Sequence, residues 1–221
     1  MTLRIGDTAP DFLAETTQGN FRFHELIEGS WVMFFSHPKD FTPICTTEIS
    51  LMGKIQQAFI NRGLKIIGHS ADGVEDHHRW IKDIEFLSET KIEFPIIGDI
   101  FLKVAKLYDM LPAEAVPGNR SPADNATVRA VFLIGPDKKI KLMSFYPMTV
   151  GRNFDEILRT VEALQLNAKY KVATPSNWQP GDDVVIPPAV SDEEARQLFP
   201  GGWCAKKPYL RVLPYEAISR S

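Results

Sequence analysis

Apolar residues along the chain follow two alternating patterns: short continuous runs, and segments in which they recur every three or four positions. The runs are rich in aromatic and β-branched residues and have strand length, which predicts buried strands. They lie at Trp31–Ser36, Leu64–Gly68 and Val128–Ile134. The spaced segments predict amphipathic helices. Their apolar positions fall within residues 49–59, 74–84, 100–107 and 154–164.

The order of these elements predicts the fold class. Strand and helix alternate first, and a short extended piece at Phe94–Ile97 is followed by another helix. The turn-forming stretch Gly135–Lys139 then joins Val128–Ile134 to Ile140–Tyr146, which indicates a hairpin before the last helix. This order implies an α/β, thioredoxin-like fold in which a mixed central sheet is flanked by helices. A surface loop is predicted at 112–124, which is rich in Pro, Gly, Asn and Ser.

The composition changes near residue 170. The last 51 residues hold 7 of the 16 prolines, yet they are too apolar to be a free disordered arm. We therefore divide the chain into a thioredoxin-like domain at 1–166 and a smaller C-terminal extension at 167–221. The extension is expected to pack on this subunit or on a partner.

Composition and charge exclude several classes of function. The 221 residues are 44% apolar and 24% charged, and 25 basic against 28 acidic side chains give a net charge of −3. This balance gives no electrostatic reason to expect a nucleic acid or an anionic membrane as partner. No run of 18 apolar residues is present, so no integral membrane segment is expected. Residues 1–7 carry charge where a signal peptide needs an apolar stretch, which predicts a reducing, cytoplasmic location.

The chain has two cysteines, Cys45 and Cys204, and no C-x-x-C pair. Two distant cysteines do not indicate a disulfide framework, and the missing pair removes both a zinc knuckle and a dithiol oxidoreductase. The adjacent His77 and His78 point to different sides of a helix, so a solvated helix face is a better interpretation than a metal site. Neither a metal nor a cofactor is expected.

Cys45 lies where the helix after the first long strand begins. Unpaired amides and the dipole of a first helical turn stabilise an anion, which favours the thiolate form and nucleophilic chemistry. Pro38 and Pro43 stiffen the approach to the helix, and Thr42 can turn its hydroxyl toward whatever the thiolate attacks. A buried structural cysteine in a helix cap remains the alternative.

Arg129 is the second unusual residue, because it lies in a run that otherwise suits a buried central strand. A guanidinium there needs an anionic partner, or it must lie at the exposed end of the strand. Spacing alone leaves two interpretations open: a partner of the Cys45 thiolate, or an arginine that lies at an edge or in a salt bridge.

Together these residues form a recognisable pattern. Pro38–Cys45 reads P-x-x-x-T-x-x-C and is followed by Thr46–Glu48, which resembles the active-site motif of the peroxiredoxins. Other stretches resemble the family in the same order: 6–12, the Arg129 strand, 135–139 and 151–157. The likeness covers essentially the whole chain and is closest to the one-cysteine, peroxiredoxin-6-type branch.

The resemblance implies a thiol peroxidase that reduces hydrogen peroxide and organic hydroperoxides. Cys45 would attack one peroxide oxygen and become a sulfenic acid. Thr42 and the amide of Cys45 would hold the peroxide, and Arg129 would stabilise the thiolate and the developing charge. Pro38 would shield the sulfenic acid. Three further residues match supporting positions, one near the cysteine and two that position Arg129: His37, Glu48 and Arg152.

The sequence departs from two-cysteine peroxiredoxins, which carry a resolving cysteine in a V-C-P stretch followed by W-x-P-G. Here Val172–Pro175 precedes Trp178–Gly181, and Ala173 stands in place of that cysteine. Cys204 matches no resolving motif and is interpreted as an incidental thiol. The resemblance therefore implies an external thiol reductant, such as glutathione delivered by a transferase, and a homodimer contacted by the C-terminal extension.

Relatives of this branch have also been credited with phospholipase A2 activity, attached to a G-x-S-x-G element with a histidine and an aspartate. Ser30, His24 and Asp137 match those three residues, but the element reads Glu28-Gly29-Ser30-Trp31-Val32 and lacks both flanking glycines. Without them the tight turn of a nucleophile loses its permissive residues, which argues against lipase activity.

Two other functions stay open at this point. The chain could use Cys45 as a sensor, as a redox-signalling or holdase-type interaction protein with little turnover. It could also be a cysteine hydrolase, although the sequence offers no base beyond His37. Turnover that depends on peroxide separates the peroxidase from the sensor, and ester hydrolysis without peroxide would indicate the hydrolase.

Overall fold

The chain folds into two structural units, Met1–Arg152 and Asn153–Ser221. The computed structural model describes residues 2–113 and 126–219, so most of the predicted surface loop at 112–124 lies outside the described residues. In the described part of the chain, no helix is both long and apolar enough to cross a membrane. The domain boundary between residues 166 and 167 stays a prediction.

A seven-stranded mixed sheet forms the first unit. Its strands in chain order are β1 (Leu13–Thr16), β2 (Gly19–Arg22), β3 (Trp31–Ser36), β4 (Leu64–Ser70), β5 (Ile96–Gly98), β6 (Arg129–Ile134) and β7 (Ile140–Tyr146). In space they lie in the order β2-β1-β5-β4-β3-β6-β7. The pairs β3–β4 and β4–β5 are parallel, and the other pairs are antiparallel. The predicted mixed sheet and the hairpin of β6 and β7 are confirmed.

Among its described residues, the same unit has four helices: α1 (Phe23–Leu26), α2 (Pro43–Ile60), α3 (Val74–Ser88) and α4 (Lys103–Leu107). The long helix α2 buries Ile49, Met52 and Phe59, as the helical spacing predicts. Together with the sheet, these helices give the predicted thioredoxin-like α/β architecture.

Strands β3 and β6 are neighbouring interior strands of the sheet, and both of their faces are buried. Phe34 and Phe35 point to opposite faces, and each is fully buried. This is why the sequence of β3 is a continuous apolar run rather than an alternation. On one face, the rings of Phe34 and Phe132 pack with Tyr108, with centroids 5.0 and 5.2 Å from that of Tyr108.

The antiparallel pairing of β3 with β6 brings distant parts of the chain together. Phe35 pairs with Val131, so the end of β3 lies beside the start of β6. Because β3 leads into α2 through the loop 37–42, the first residue of β6, Arg129, lies beside that loop. The sheet register thereby brings the arginine to the N-terminal end of the cysteine helix.

The second unit has its own small sheet and core. It contains α5 (Phe154–Tyr170), β8 (Val184–Ile186), α6 (Asp192–Leu198), β9 (Cys204–Lys207), β10 (Leu210–Leu213) and α7 (Tyr215–Ser219). The strand order is β8-β10-β9. Asn153 caps α5 as predicted, since its side chain accepts from the amides of Asp155 and Glu156. The prediction that the C-terminal extension is packed rather than free agrees with a buried cluster that includes Trp178 and Phe199.

Candidate active site

Cys45 is the third residue of α2 and its side chain is fully buried. The helix begins at Pro43, and the preceding Thr42 has an extended backbone. The hydroxyl of Thr42 donates to the carbonyl of Lys39 at 2.8 Å, and so it does not cap the helix. The first-turn amides of an α-helix have no intrahelical acceptor, so the amide of Cys45 is available to an anion or a ligand.

The guanidinium of Arg129 lies against the sulfur of Cys45. Its Nη1 is 3.4 Å from Cys45 Sγ and 2.7 Å from Oε2 of Glu48. Its Nε and Nη2 both donate to the carbonyl of Met148, at 3.0 and 2.7 Å. The same nitrogen contacts the thiol and forms a buried salt bridge. Because Arg129 is buried, it does not lie at an exposed end of the strand.

Glu48 is the anion that lets two arginines lie in the interior. Arg152 forms three hydrogen bonds with the Glu48 carboxylate. Its backbone amide and its Nε donate to Oε1, at 2.8 and 2.9 Å, and its Nη2 donates to Oε2 at 2.7 Å. Burial raises the pKa of Glu48, but the hydrogen bonds and charge of Arg152, with the charge of Arg129, bring it below its ordinary value. The carboxylate is therefore ionised, and its geometry with Arg152 is bidentate.

Arg152 also ties this pair to the sheet. Its Nη1 donates to the carbonyls of Ser36 and Ala130, at 2.8 and 3.1 Å, where β3 and β6 lie side by side. The guanidinium lies 5.0 Å from the ring centroid of Phe35. The predicted supporting residues Glu48 and Arg152 are thus brought together with Arg129.

Pro38 and His37 form the buried start of the loop that connects β3 to α2. The amide of His37 donates to the carbonyl of His69 at 2.9 Å, and its carbonyl accepts from the hydroxyl of Thr127 at 2.9 Å. The ring of His37 is hydrogen-bonded through Nε2 to Oδ1 of Asp40 at 2.7 Å. Its polar contact in the structure is with Asp40 rather than with Cys45.

The prediction that His77 lies on a solvated helix face is wrong. His77 is fully buried, whereas its neighbour His78 is exposed. Its Nδ1 is 2.6 Å from Oδ2 of Asp40, and its Nε2 is 3.1 Å from the carbonyl of Ile97. The sequence carries a signal for this burial: His77, Trp80 and Ile84 are spaced by three and four residues, and all three belong to the inner face of α3.

The ring nitrogens of His37 and His77 and the carboxylate of Asp40 are the residues that could hold a metal ion, since their ligand atoms lie within 4.8 Å of one another. Separations of 2.6 and 2.7 Å between nitrogen and oxygen are those of charge-assisted hydrogen bonds. Both oxygens of Asp40 form such bonds, and the second nitrogen of His77 is hydrogen-bonded to the carbonyl of Ile97. The arrangement is therefore a hydrogen-bonded network, which we call the His37–Asp40–His77 network.

The three residues of the lipase-like pattern are not assembled into a triad. Ser30 donates to the carbonyl of Glu28, and Asp137 accepts from Lys141 and from the amide of Lys139. His24 is bound through Nε2 to the carbonyl of Ala9 at 2.7 Å. No hydrogen bond within the described residues joins any two of Ser30, His24 and Asp137.

The two cysteines have different surroundings and are both free. Cys204 is exposed on β9, opposite Val212 of β10. Ala173, where a resolving cysteine would stand, forms a bridge with Val185. Of the two cysteines, only Cys45 contacts a buried cationic side chain among the described residues.

A buried thiol on the first turn of a helix, held against a guanidinium on a thioredoxin-like sheet, is the site of a thiol-dependent oxidoreductase. Residues 5–143 match the AhpC/TSA family, and residues 163–202 match the C-terminal domain of 1-Cys peroxiredoxin. The chain therefore belongs to the AhpC/TSA family and, within it, to the 1-Cys peroxiredoxins, which are thiol peroxidases.

Individual relatives cover almost the whole chain. Mitochondrial peroxiredoxin PRX1 of Saccharomyces cerevisiae is 51% identical over 95% of this chain and 80% of its own. Peroxiredoxin-6 of Mus musculus is 48% identical over 96% of this chain and 97% of its own. A solved structure of a yeast mitochondrial 1-Cys peroxiredoxin, described for its thiol resolving mechanism via glutathione/thioredoxin systems, matches this chain with a TM-score of 0.88 and 50% sequence identity. The match covers 96% of this chain and 99% of that one.

These relatives correct the predicted location. A cytoplasmic compartment was inferred from charge in residues 1–7, but a relative that is 51% identical is mitochondrial. A relative this similar lies outside the cytoplasm, so the charge in residues 1–7 does not identify the compartment of this chain.

Asp40 predicts a distinct dependence of stability on pH. Burial raises its pKa, but the hydrogen bonds of His37 and His77 and the positive charge of this imidazole pair lower it to about 2, from 3.8. A depressed pKa contributes stability that is present above the unfolded value and is lost as pH falls through the folded value. We expect Asp40→Asn to be less stable than the wild type by about 2 kcal/mol near neutral pH, and this difference to vanish as pH approaches 2.

Urea unfolding at several pH values measures this difference. Asp83→Asn is the matched control, because Asp83 is an exposed aspartate on α3. A gap between Asp40→Asn and the wild type that stays constant from pH 7 to pH 2 would contradict the prediction.

Proposed function

We propose that this peroxiredoxin reduces hydrogen peroxide and small organic hydroperoxides through Cys45 alone. The observation that carries the proposal is the 3.4 Å contact between Nη1 of Arg129 and Sγ of Cys45, two buried side chains. A fixed positive charge and a helix N-terminus both stabilise a thiolate. The thiolate, rather than the thiol, is the nucleophile toward a peroxide.

The groups around the sulfur suit a bound peroxide. Arg129 is fixed in its plane by the carbonyl of Met148, and one Nη2–H has no acceptor among the described residues. That N–H and the amide of Cys45 can donate to a peroxide oxygen. Thr42 donates its own hydroxyl proton to Lys39, so its oxygen can accept from the peroxide O–H.

The reaction then proceeds as a displacement at oxygen. The thiolate forms an S–O bond with one peroxide oxygen while the O–O bond breaks. Sulfur is oxidised to a sulfenic acid, and the other oxygen leaves as water or an alcohol after it takes up a proton. Negative charge grows on the leaving oxygen, and a guanidinium held in place before the reaction stabilises it without reorganisation. Pro38, buried at the start of the loop 37–42, limits access of further peroxide to the sulfenic acid.

The proposed reductant is an external thiol, such as glutathione delivered by a transferase or a thioredoxin-type partner. Cys204 is exposed in the second unit, and Ala173 replaces the resolving cysteine. One external thiol would attack the sulfenic sulfur and release water, which leaves a mixed disulfide. A second thiol would then displace Cys45 as the thiolate.

Space for an organic substituent supports the wider substrate range. A cleft of about 610 Å³ opens over the loop that leads to α2 and is lined by Pro38, Phe41, Thr42 and Ile100, among others. Phe41 and Ile100 are more than half exposed, so the mouth of the cleft is partly apolar. An alkyl hydroperoxide can place its chain there while its oxygens reach Thr42.

A homodimer is part of this proposal. Strand β7 lies at one edge of the seven-stranded sheet, and its outer edge pairs with no other described strand. Phe145, Met148 and Val150, in and just after β7, are 38–47% exposed. An exposed strand edge with apolar residues is a template for pairing with a second copy of the chain.

Arg129 variants test the proposed catalytic role. We expect Arg129→Met to slow the oxidation of Cys45 by peroxide about 100-fold, because it removes a donor to the developing charge. Arg129→Lys should lose an intermediate amount, since an ammonium retains the charge but not the planar fork. Stopped-flow kinetics, with thiolate absorbance at neutral pH, measure both effects. Arg79→Met, at an exposed arginine of α3, is the control. A folded Arg129→Met variant with wild-type rate would remove Arg129 from the reaction.

Cysteine variants test the one-cysteine mechanism. We expect Cys204→Ser to keep full peroxide reduction with a small thiol, because no described contact involves its thiol. Cys45→Ser should abolish the reaction, since a serine hydroxyl is not ionised at neutral pH. Peroxide consumption and intact mass after one equivalent of peroxide are the measurements. A Cys45–Cys204 disulfide in peptide maps would overturn the one-cysteine assignment.

Sedimentation of a surface variant tests the homodimer. We expect the wild type to sediment as a dimer at micromolar concentration, and Val150→Glu to shift it toward the monomer because a charge is buried at the pairing edge. Leu87→Glu is the control, because Leu87 is 62% exposed at the far end of α3. Equal sedimentation of the two variants would count against pairing through β7.

A further inference from the structure

The His37–Asp40–His77 network is a buried group of titratable residues that the proposed reaction does not use. His37 and His77 are fully buried, and Asp40 is 3% exposed. The network joins α3, which carries His77, to the loop 37–42, which carries Pro38 and Thr42. Asp40 is the centre, because each of its carboxylate oxygens binds one imidazole.

The hydrogen-bond partners of His77 determine its protonation state. Its Nδ1 faces the carboxylate of Asp40 and its Nε2 faces the carbonyl of Ile97. An ionised carboxylate and a carbonyl oxygen only accept hydrogen bonds, so both ring nitrogens of His77 must donate. Both ring nitrogens therefore carry protons, and His77 is an imidazolium paired with the Asp40 carboxylate. A neutral Asp40 could avoid this, but its two imidazole partners lower the pKa of Asp40 to about 2, although burial raises it.

The same assignment of donors and acceptors determines the tautomer of His37. Its Nε2 donates to Oδ1 of Asp40, so this nitrogen carries a proton. Asp40 already balances the charge of His77, and a second buried cation would lack a counter-ion. His37 is therefore neutral, and its Nδ1 is a bare acceptor. This atom is buried and has no partner among the described residues.

Other charged groups near the network leave this assignment intact. His69, on β4, is paired with Asp99 at 3.1 Å, and burial is the main cause of its lowered pKa, so the ring is neutral. Asp72 accepts from the backbone amide of Asp40 at 2.9 Å and from the hydroxyl of Ser70. The loop 37–42 is thus fixed at Asp40 in two ways: Asp72 binds the backbone amide of Asp40, and His77 binds its carboxylate.

A second contact from the same helix face reaches the cysteine turn. Trp80 lies one turn after His77 on α3, and its Nε1 donates to the hydroxyl of Thr46 at 3.3 Å. The Trp80 ring also packs on His37, with centroids 5.0 Å apart. The inner face of α3 therefore contacts the loop before Cys45 and the residue directly after it.

We propose that His77 is a positioning residue for the peroxidase reaction: as an imidazolium bound to Asp40, it fixes the loop 37–42 and holds His37 in the Nε2–H tautomer. The inference rests on the proposed function of Cys45. The bare Nδ1 of His37 is then available to accept a hydrogen bond or a proton at the base of this loop. For histidines that bind metals, removal of the outer hydrogen-bond partner costs about 10- to 100-fold in affinity or activity, and we take the lower end as the scale for His37.

Nuclear magnetic resonance of the reduced wild type tests the assignment directly. Long-range nitrogen–proton spectra of histidine-labelled protein distinguish the two neutral tautomers from the imidazolium. At pH 7 we expect His37 to be protonated at Nε2 only and His77 at both nitrogens. A His37 that is protonated at Nδ1, or a neutral His77, would overturn the proposal.

Variants of His77 test its effect on the reaction. In His77→Leu we expect peroxide to oxidise Cys45 about tenfold more slowly, with a changed pH profile and a mixture of His37 tautomers. In His77→Gln an amide N–H can still donate to Asp40, so we expect partial recovery of both the rate and the Nε2–H tautomer. His78→Gln is the matched control, because His78 is the exposed neighbour on the same helix.

The outcomes separate this proposal from the proposed function. If the wild type fails to react with peroxide, the function of Cys45 is wrong, whatever the tautomers are. If the wild type reacts and a folded His77→Gln or His77→Leu keeps its rate and pH profile, only the role of His77 is wrong. If His77→Leu does not fold, His77→Gln and the wild-type spectra still decide the matter.

Discussion

The site depends on the buried ion pairs that the Glu48 carboxylate forms with two arginines. Two guanidinium groups, Arg129 and Arg152, lie in the interior within reach of a single anion. Uncompensated buried charges cost several kcal/mol each, so neither arginine is stable there without Glu48. Because Glu48 lies one helical turn after Cys45 on α2, the same helix that carries the thiol also carries the counter-ion for its cationic partner.

Most of the fold follows from the sequence pattern. The buried strands β3, β4 and β6 are continuous apolar runs, and the hairpin is marked by the turn at 135–139, so these elements are predicted at nearly their observed positions. The short strands of the second unit have three or four residues each and lie among prolines. Such segments are too short to show a period, and their pairing is determined by tertiary contacts rather than by local pattern.

The site is predictable where chemistry is unusual for its place. A cysteine at the start of a helix and an arginine in an apolar strand are unusual enough to be noticed in the sequence. These two residues, Cys45 and Arg129, contact each other in the candidate site. Asp40 and His77 are not visible in this way, because a loop aspartate and a helical histidine are common. Their significance appears only when α3 packs on the loop and removes both side chains from water. Sequence spacing can assign His77 to the buried face of α3, but not the partner it meets there.

The separation of Arg129 from Cys45 has a consequence for the chain during its synthesis. The two residues are 84 positions apart, and they meet only after β6 has paired with β3. While the ribosome is still adding the intervening residues, α2 can emerge with its thiol but without the guanidinium. Contacts between such distant residues form late, since closing the chain must precede them. In the proposed mechanism, the nascent protein therefore carries Cys45 without its cationic partner, and the site is complete only when β6 has paired with β3.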